Sequence, residues 1–374
     1  MTDTLSAPPP APSAPIEEHR FPCDSCGADF RFDPRADRLI CDFCGNSADL
    51  RDRSPWQGGI KELDFARAIA DQLPAQEIEI TRVTGCTSCG AQIEFAGADH
   101  ARRCPFCASP LVADTGEHRH IKPRGVLPFA LTEEQARAAM TDWLGRLWFA
   151  PNGLQDYARK GRRMDGIYVP FWTFDAQTDS RYRGERGTVH IETRVVTING
   201  KTTTQPVTRV RWRAVSGQVS RFFDDVLVLA SRSLPKRFTD ALQPWDLAAL
   251  EPYQPQFLAG FRAEGYTVEL QDGYDEARAI MHRTIERDVR FDIGGDQQRV
   301  HRIDTDIRDV TFKHILLPVW VAAYKYRGET FRFVVNGRTG RVQGERPWSA
   351  AKIALAVLAG AVLAALIGYG MAQQ

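Results

Sequence analysis

Eight cysteines, all between positions 23 and 107, form two groups with identical spacing. Each group has two Cys-x-x-Cys pairs separated by fourteen residues, and the second group repeats the first at an offset of 63 positions. The groups are Cys23, Cys26, Cys41 and Cys44, followed by Cys86, Cys89, Cys104 and Cys107. Two such pairs, joined by a short hairpin, supply the four thiolates that tetrahedral Zn²⁺ prefers. The spacing therefore predicts two zinc ribbons, each closed around one structural Zn²⁺ ion.

Residues other than cysteine support the repeat. Gly27, Gly45 and Gly90 each follow a cysteine pair, where a residue without Cβ turns most easily, and Phe32 and Phe95 are placed to pack the small hairpins. Four thiolates leave no open coordination position, so we expect no catalytic residue and no further cofactor here. The spacing leaves open free buried cysteines, a redox pair, an iron–sulfur cluster, and ligand pairing across the two repeats.

The balance of positive and negative residues limits the kinds of partner that the chain is expected to bind. Lys plus Arg number 48 and Asp plus Glu number 47, so the chain as a whole is not drawn to nucleic acid. The first cysteine group has four Arg against six Asp between positions 20 and 50, and neither group shows a basic stripe. Nucleic-acid binding by the ribbons is therefore possible but not favoured. Because no cysteine lies beyond Cys107, the chain does not resemble a disulfide-stapled secreted protein, and we expect a reducing compartment.

The two ends of the chain differ in character. The first fifteen residues are rich in Ala, Pro and Ser, which predicts a disordered tail rather than a signal peptide. The segment from Ile353 to Met371 is apolar and uncharged, which predicts a transmembrane helix, with a buried core helix as the alternative. Trp348 and Tyr369 bracket this segment, and basic residues precede it. We expect a single-pass protein of the bacterial inner (plasma) membrane, with its N-terminal bulk in the cytoplasm.

Between these features the pattern indicates an α+β body. A linking helix is predicted near 60–73, and Thr132 with Gln135 forms a capping box before a helix with one apolar face. Strands are predicted from about Gly166 onward, with a tight turn at 199–200. Helices are predicted at about 235–264 and 274–287. The segments 169–172 and 317–320 resemble each other and predict two related antiparallel hairpins.

Three charged features of the body are ambiguous. Arg209, Arg211 and Arg213 alternate along one predicted strand, which favours a solvated sheet face, with anionic lipid or nucleic acid as the alternative ligand. The pair at 224–225 and the segment 292–296 contain aspartates that can hold a metal, although Asp and Gly are commonest in turns.

The predicted organisation has six parts. They are a disordered tail (1–18), zinc ribbon 1 (19–50), a linking segment with a helix (51–81), zinc ribbon 2 (82–112), the α+β body (113–346) and a transmembrane helix (350–371).

The second cysteine group and several body segments resemble a bacterial family. The segments are 168–174, 223–228, 253–261, 292–296, 316–320, 335–340 and 344–347. Members are labelled TFIIB-type zinc-ribbon proteins, or primosomal protein N-prime (replication factor Y), a superfamily II helicase. This chain has neither a Walker A loop nor a D-E-x-H box, so helicase activity is not expected. The resemblance instead implies a membrane-associated zinc-ribbon protein whose relatives occur with phage-shock or stomatin-like membrane-stress proteins.

We therefore expect a non-enzymatic, membrane-tethered adaptor that presents a zinc-stabilised surface to a cytosolic protein, with membrane-stress proteins as candidate partners. The alternative is a zinc-ribbon nucleic-acid-binding factor associated with replication or repair. A hydrolase would require the aspartates to converge in a cleft.

Overall fold

The computed structural model describes residues 21–50, 60–94, 104–107, 109, 115–149, 164–198, 201–326, 329–345 and 348–372. The tail predicted at 1–18 lies outside this part of the chain, as do Phe95 and Ala108. The described residues form an α+β protein with many strands and few helices, as the sequence predicts.

The N-terminal part is a small sheet followed by short elements. Strands β1 (Phe30–Asp33), β2 (Arg38–Cys41) and β3 (Ser47–Ala48) form an antiparallel three-stranded sheet. They are followed by β4 (Leu63–Asp64), helix α1 (Phe65–Ile69), β5 (Ile78–Gly85), β6 (Gln92–Glu94), β7 (Thr115–Ile121), β8 (Gly125–Val126) and helix α2 (Glu133–Gly145).

The body is built on very long strands. In order these are β9 (Asp165–Ile198), β10 (Lys201–Leu229), helix α3 (Lys236–Ala241), β11 (Glu251–Pro252), β12 (Arg262–Glu264), helix α4 (Leu270–Ile293), β13 (Gln297–Tyr326), β14 (Glu329–Asn336), β15 (Val342–Gly344) and helix α5 (Ala350–Ala372). Short 3-10 helices cover 75–77, 247–249 and 255–258. Strand β9 lies between β10 and β13 and is antiparallel to both.

Two local predictions are confirmed. Lys201 pairs with Ile198, so the register of β9 and β10 is that of the predicted hairpin, although residues 199–200 themselves lie outside the described part of the chain. The capping box at Thr132 begins α2, where the Thr132 side chain accepts from the Gln135 amide and the Gln135 side chain accepts from the Thr132 amide.

The two similar segments of the body pair with each other. Leu317 lies opposite Val169 in the β9–β13 register, and each segment leads into its own hairpin, β9–β10 or β13–β14. The antiparallel hairpins predicted from the repeat are therefore neighbours in one sheet.

Three helix predictions need correction. The linking helix spans five residues, because Leu63 and Asp64 before it pair with β13. The helix predicted at 235–264 contracts to α3, since Pro244, Pro252 and Pro255 prevent a helix from continuing. The helix predicted at 274–287 is longer at both ends and stops at Gly294, whose φ of 63° suits glycine.

The core lies on both faces of the β9–β13 pair, because alternate residues of a strand point to opposite faces. Near the start of β9, Tyr168 and Leu316 face one apolar cluster, and Val169 and Leu317 face another. Farther along, Trp172, Phe174 and Ala176 face a third cluster that α4 covers with a row of buried residues. That row is Ala277, Met281, Ile285, Val289 and Ile293.

Candidate metal centres

The first four cysteines converge on one point. Sulfur–sulfur distances are 3.6 Å from Cys23 to Cys44 and 3.5 Å from Cys26 to Cys41. All four sulfurs lie within 4.8 Å of one another. A disulfide has a bond of about 2.05 Å, so these are four separate thiol groups around a shared centre.

The second group has the same arrangement. Sulfur–sulfur distances are 3.6 Å from Cys86 to Cys107 and 3.7 Å from Cys89 to Cys104, again within a 4.8 Å cluster. Each group therefore lies within one repeat. The pairing across repeats that the spacing left open does not occur.

The backbone around the cysteines explains this convergence. The amide of Cys23 donates to the Ala28 carbonyl at 2.6 Å, and the amide of Gly27 donates back to the Cys23 carbonyl at 2.8 Å. Equivalent bonds follow Cys41 and Cys86. Gly27, Gly45 and Gly90 have φ values of 74°, 73° and 75°, which confirms why glycine follows these three pairs.

This backbone also affects thiol chemistry. Burial acts to raise the pKa of Cys23, but hydrogen bonds from the amides of Ser25 and Cys26 and from the Asn46 side chain bring it down to about 6. The hydrogen bond with Cys104 is the main reason that the pKa of Cys89 falls to about 5. Each group can therefore present thiolate, which is the form that binds metal.

Both groups fit a tetrahedral metal ion. With metal–sulfur bonds of about 2.3 Å, tetrahedral geometry places the sulfurs about 3.8 Å apart. The distances of 3.5 to 3.7 Å are close to this value. The structure therefore supplies two four-cysteine groups that can each bind one metal ion.

The first group docks on the Tyr168 side of the sheet. Cys23 and Cys41 are buried, and Phe32 between them is fully buried against Phe257 at a ring distance of 5.4 Å. The Phe32 amide also donates to the Ala259 carbonyl at 2.9 Å. Apolar packing and a backbone bond together fix this unit on the body.

The second group docks on the opposite face. Cys86, Cys104 and the fully buried Phe106 belong to the cluster that contains Val169 and Leu317. Its hairpin strand β6 pairs with β12, so this unit is continuous with the main sheet. The phenylalanine at the equivalent position of the first group, Phe43, is 85% exposed. The two units share their cysteine geometry but not their docking side chains.

Arginine pairing neutralises the surface of the first unit. Arg31 binds Asp42 through two bonds of 3.0 Å, and Arg38 lies 3.4 Å from Asp49. This distribution agrees with the absence of a basic stripe in the sequence.

The aspartates near 224–225 pair with a lysine side chain of the body. Asp175, Asp224 and Asp225 bring carboxylate oxygens within 4.8 Å of one another, but the Lys313 ammonium lies 3.3 Å from Asp175 and 2.8 Å from Asp225. Glu62 completes this ionic cluster at 2.9 Å. Burial acts to lower the pKa of Lys313, yet hydrogen bonds to Asp225 and Glu62 raise it, so a cation is already present.

Asp225 lies in a β-bulge rather than in the turn that the sequence suggests. The register of β9 and β10 shifts between Phe223 and Val226, Asp225 has a φ of 52°, and its amide donates to Asp175 at 2.6 Å. Sequence reasoning missed Glu62, Asp175 and Lys313, which come together only through long-range strand pairing.

The segment 292–296 closes the end of α4. Asp292 accepts from the Tyr182 hydroxyl, and Asp296 accepts from the Val189 amide at 2.7 Å. Both aspartates tie the helix end to β9.

The apolar C-terminal helix is confirmed as an element. Residues Ala350–Met371 have a mean hydropathy of 2.4, and none of this segment is buried in the body. It is long and apolar enough to cross a membrane. Arg338, which precedes the helix, lies 3.3 Å from Asp246, and Lys352 in its first turn donates to the Trp148 carbonyl at 3.2 Å.

Comparison with known proteins gives one relevant similarity. The chain is 26% identical to "Uncharacterized protein YdjG" of Bacillus subtilis (strain 168) over 335 residues, which covers 89% of this chain and 92% of that protein. No family model matches the chain, and no solved structure matches it. The similarity extends over most of both chains and assigns no activity. The resemblance to TFIIB-type zinc-ribbon proteins stays a prediction.

Proposed function

We propose that this protein is a non-enzymatic scaffold, anchored in the bacterial inner membrane, that presents a zinc-stabilised surface to a cytosolic protein. The observation that carries the proposal is the placement of two four-cysteine groups on opposite faces of the β9–β13 pair, in a chain that also has an exposed apolar helix. The bound metal ions would then stabilise the same α+β body that the apolar helix anchors.

Zinc is the ion that we assign to both groups. Four thiolates at near-tetrahedral spacing suit Zn²⁺, and zinc ribbons commonly use this ligand set. A closed set leaves no position for a water or substrate, which favours a structural role over hydrolysis. When bound, the ion would cross-link two hairpin turns that have little core of their own.

The helix and its flanks support membrane anchoring. Trp348 and Tyr369 lie at its two ends, where amphipathic aromatic rings favour the lipid–water interface. Lys352 lies at its N-terminal end, and the positive-inside bias supports a cytoplasmic body. The protein partner is then cytosolic, and the family resemblance makes membrane-stress proteins the first candidates.

Deletion of 353–374 tests the anchor. The full-length protein should resist carbonate extraction from membranes, and the truncated protein should be soluble. A matched control deletes 1–18, a segment of similar length, and should fractionate as full-length. If the truncated and full-length proteins fractionate alike, the anchor is wrong.

Metal analysis and crosslinking test the scaffold role. Purified full-length protein should carry about two zinc ions per chain, as two closed sites require. Crosslinking in native membranes should recover the same protein partners with and without nuclease. Iron in place of zinc, or recovery of replication proteins that nuclease abolishes, would contradict the proposal.

A further inference from the structure

The far end of the β9–β10 hairpin projects beyond the rest of the sheet. Strand β13 begins at Gln297, opposite Gly187, so residues 188–198 of β9 pair only with β10. At about 3.3 Å per residue, this two-stranded ribbon is roughly 36 Å long. Two-stranded ribbons contribute little to stability, so this one adds surface rather than core.

The register gives the ribbon one basic face. Arg209 lies opposite His190, Arg211 opposite Thr188, and Arg213 opposite Arg186. Residues directly opposite each other in an antiparallel pair share a face, so Arg209 and Arg211 line one side of the ribbon. Arg213 continues their row at the base of the ribbon, where Arg186 also pairs with β13. Arg194, opposite Gln205, extends the row toward the hairpin turn.

The charge of this region is not balanced. Residues 186–213 contain six Lys or Arg and one acid, Glu192, although the whole chain has a net charge of only +1. Glu192 pairs with Arg209 at 2.9 Å. For Arg194, Arg211 and Arg213, no ion pair is found among the described residues, and all three side chains are exposed.

The opposite face of the sheet, in its three-stranded region, provides a comparison. There Arg308 pairs with Asp179, Arg302 with Asp304 at 2.7 Å, and Arg299 with Glu185 at 3.4 Å. These three arginines of β13 are each matched by an acid, whereas no ion pair is found among the described residues for Arg194, Arg211 and Arg213 of the basic row.

This basic face lies far along β9 from the end of the sheet that leads to the apolar helix. Strand β9 begins opposite Val321 of β13, near the end where β14, β15 and then α5 follow. Arg186 is 21 residues farther along β9, or about 70 Å at ~3.3 Å per residue. The surface potential of a membrane decays within about 8 Å, so lipid headgroups around the proposed anchor would be out of reach of a β9 strand that rises from the bilayer.

We propose that the basic face of the β9–β10 ribbon binds the phosphate backbone of nucleic acid. The backbone of a nucleic acid carries regularly repeated phosphate charges, so several of them can contact successive arginines of the row. The major groove of DNA is about 12 Å wide and admits a two-stranded β-ribbon. The distance argument rests on the proposed membrane anchoring, whereas the charge argument does not.

The test uses full-length protein in nanodiscs of neutral lipid and a fluorescent DNA duplex of about 30 base pairs. Binding is measured by anisotropy between about 50 and 200 mM salt. The double variant Arg211→Gln with Arg213→Gln should weaken binding about tenfold or more at low salt. The slope of log K against log salt should fall by about 1.8, which is ~0.9 for each lost phosphate contact.

The matched control is Arg302→Gln with Arg308→Gln, which removes the same charge from the balanced face. It should bind the duplex as the unmodified protein does. Equal weakening in both double variants, unchanged binding in the ribbon variant, or binding to anionic-lipid vesicles but not to the duplex would each overturn the proposal. Thermal unfolding, membrane fractionation and zinc content of the ribbon variant should be unchanged, so a failure here is distinct from a failure of the scaffold proposal.

Discussion

At the scale of single residues, Lys313 holds together three acids from separate parts of the chain. Its ammonium contacts Glu62, Asp175 and Asp225, and both Lys313 and Asp175 are buried. This ionic cluster lies on the Val169 face of the sheet, where buried apolar residues give way to the charged residues of the projecting region.

Replacing Lys313 with Met should destabilise the protein by about 3–5 kcal/mol, because it leaves the Asp175 carboxylate buried without its cation. Chemical unfolding in detergent with zinc in excess measures the change. As a control, Arg308→Gln removes an exposed ion pair and should cost less than about 1 kcal/mol. Equal effects of the two substitutions would show that the cluster is not buried as described.

A second buried residue, Glu264, should make stability depend on pH. Burial raises its pKa to about 8, despite hydrogen bonds from Ser231 and Ser233 that lower it. The folded protein therefore keeps the proton while the unfolded chain loses it above about pH 4.3. The contribution to stability is complete below that pH and is lost as the pH rises toward 8.

The substitution Glu264→Gln removes this titration while retaining a similar shape. Between about pH 4.5 and 8, the unmodified protein should lose stability relative to the variant by on the order of 1 kcal/mol per pH unit. Thermal unfolding of both proteins across this range measures the difference. Parallel profiles would mean that Glu264 is ionised in the folded protein.

At the scale of elements, each four-cysteine unit should lose its metal independently. Cys41→Ser removes one of four ligands at a site whose ligands come from one repeat only. We expect the metal content to fall from about two ions per chain to about one. The control, Phe43→Ala, alters an 85% exposed side chain between two ligands and should leave the metal content unchanged. Loss of both ions in the cysteine variant would indicate that the sites are coupled.

The sequence predicts those elements whose determinants are local. Equal cysteine spacing is sufficient to predict the two four-cysteine groups, and Asn199 with Gly200 is sufficient to predict the antiparallel register of β9 and β10 on either side of them. The helix predicted at 235–264 is wrong over most of its length, because three prolines and the pairing of β11 and β12 prevent it.

Features that depend on distant pairing could not be predicted. Glu62 reaches Lys313 across 251 residues of sequence, and nothing near either residue indicates the contact. The alternation of Arg209, Arg211 and Arg213 was visible in the sequence. Their position on a projecting ribbon could not be predicted, because it depends on where β13 begins. Only the strand register of the structure shows that point.

At the scale of the whole molecule, removal of metal should loosen one end of the sheet more than the rest. The two four-cysteine units pack on opposite faces of β9 and β13 near Val169 and Leu317, whereas α4 covers a separate cluster farther along. After chelation, hydrogen exchange should increase strongly in 21–50 and clearly in 167–171, while α4 keeps most of its protection.

The control for this experiment is the same chelated sample after zinc is restored, which should recover the original exchange pattern. Full protection of 21–50 without metal would contradict a metal-dependent fold. Equal loss of protection in α4 would mean that the molecule unfolds as one cooperative unit.

The length of β9 has a mechanical consequence. A stiff strand pair that runs roughly 100 Å from the end near α5 to the last residues of β9 acts as a lever. A tilt of about 10° at the base would sweep the tip through about 17 Å at that length. If α5 anchors the protein as proposed and β9 rises from the bilayer, the strand would reach a shell about 100 Å deep beside the membrane, and tethering would concentrate its encounters within that shell.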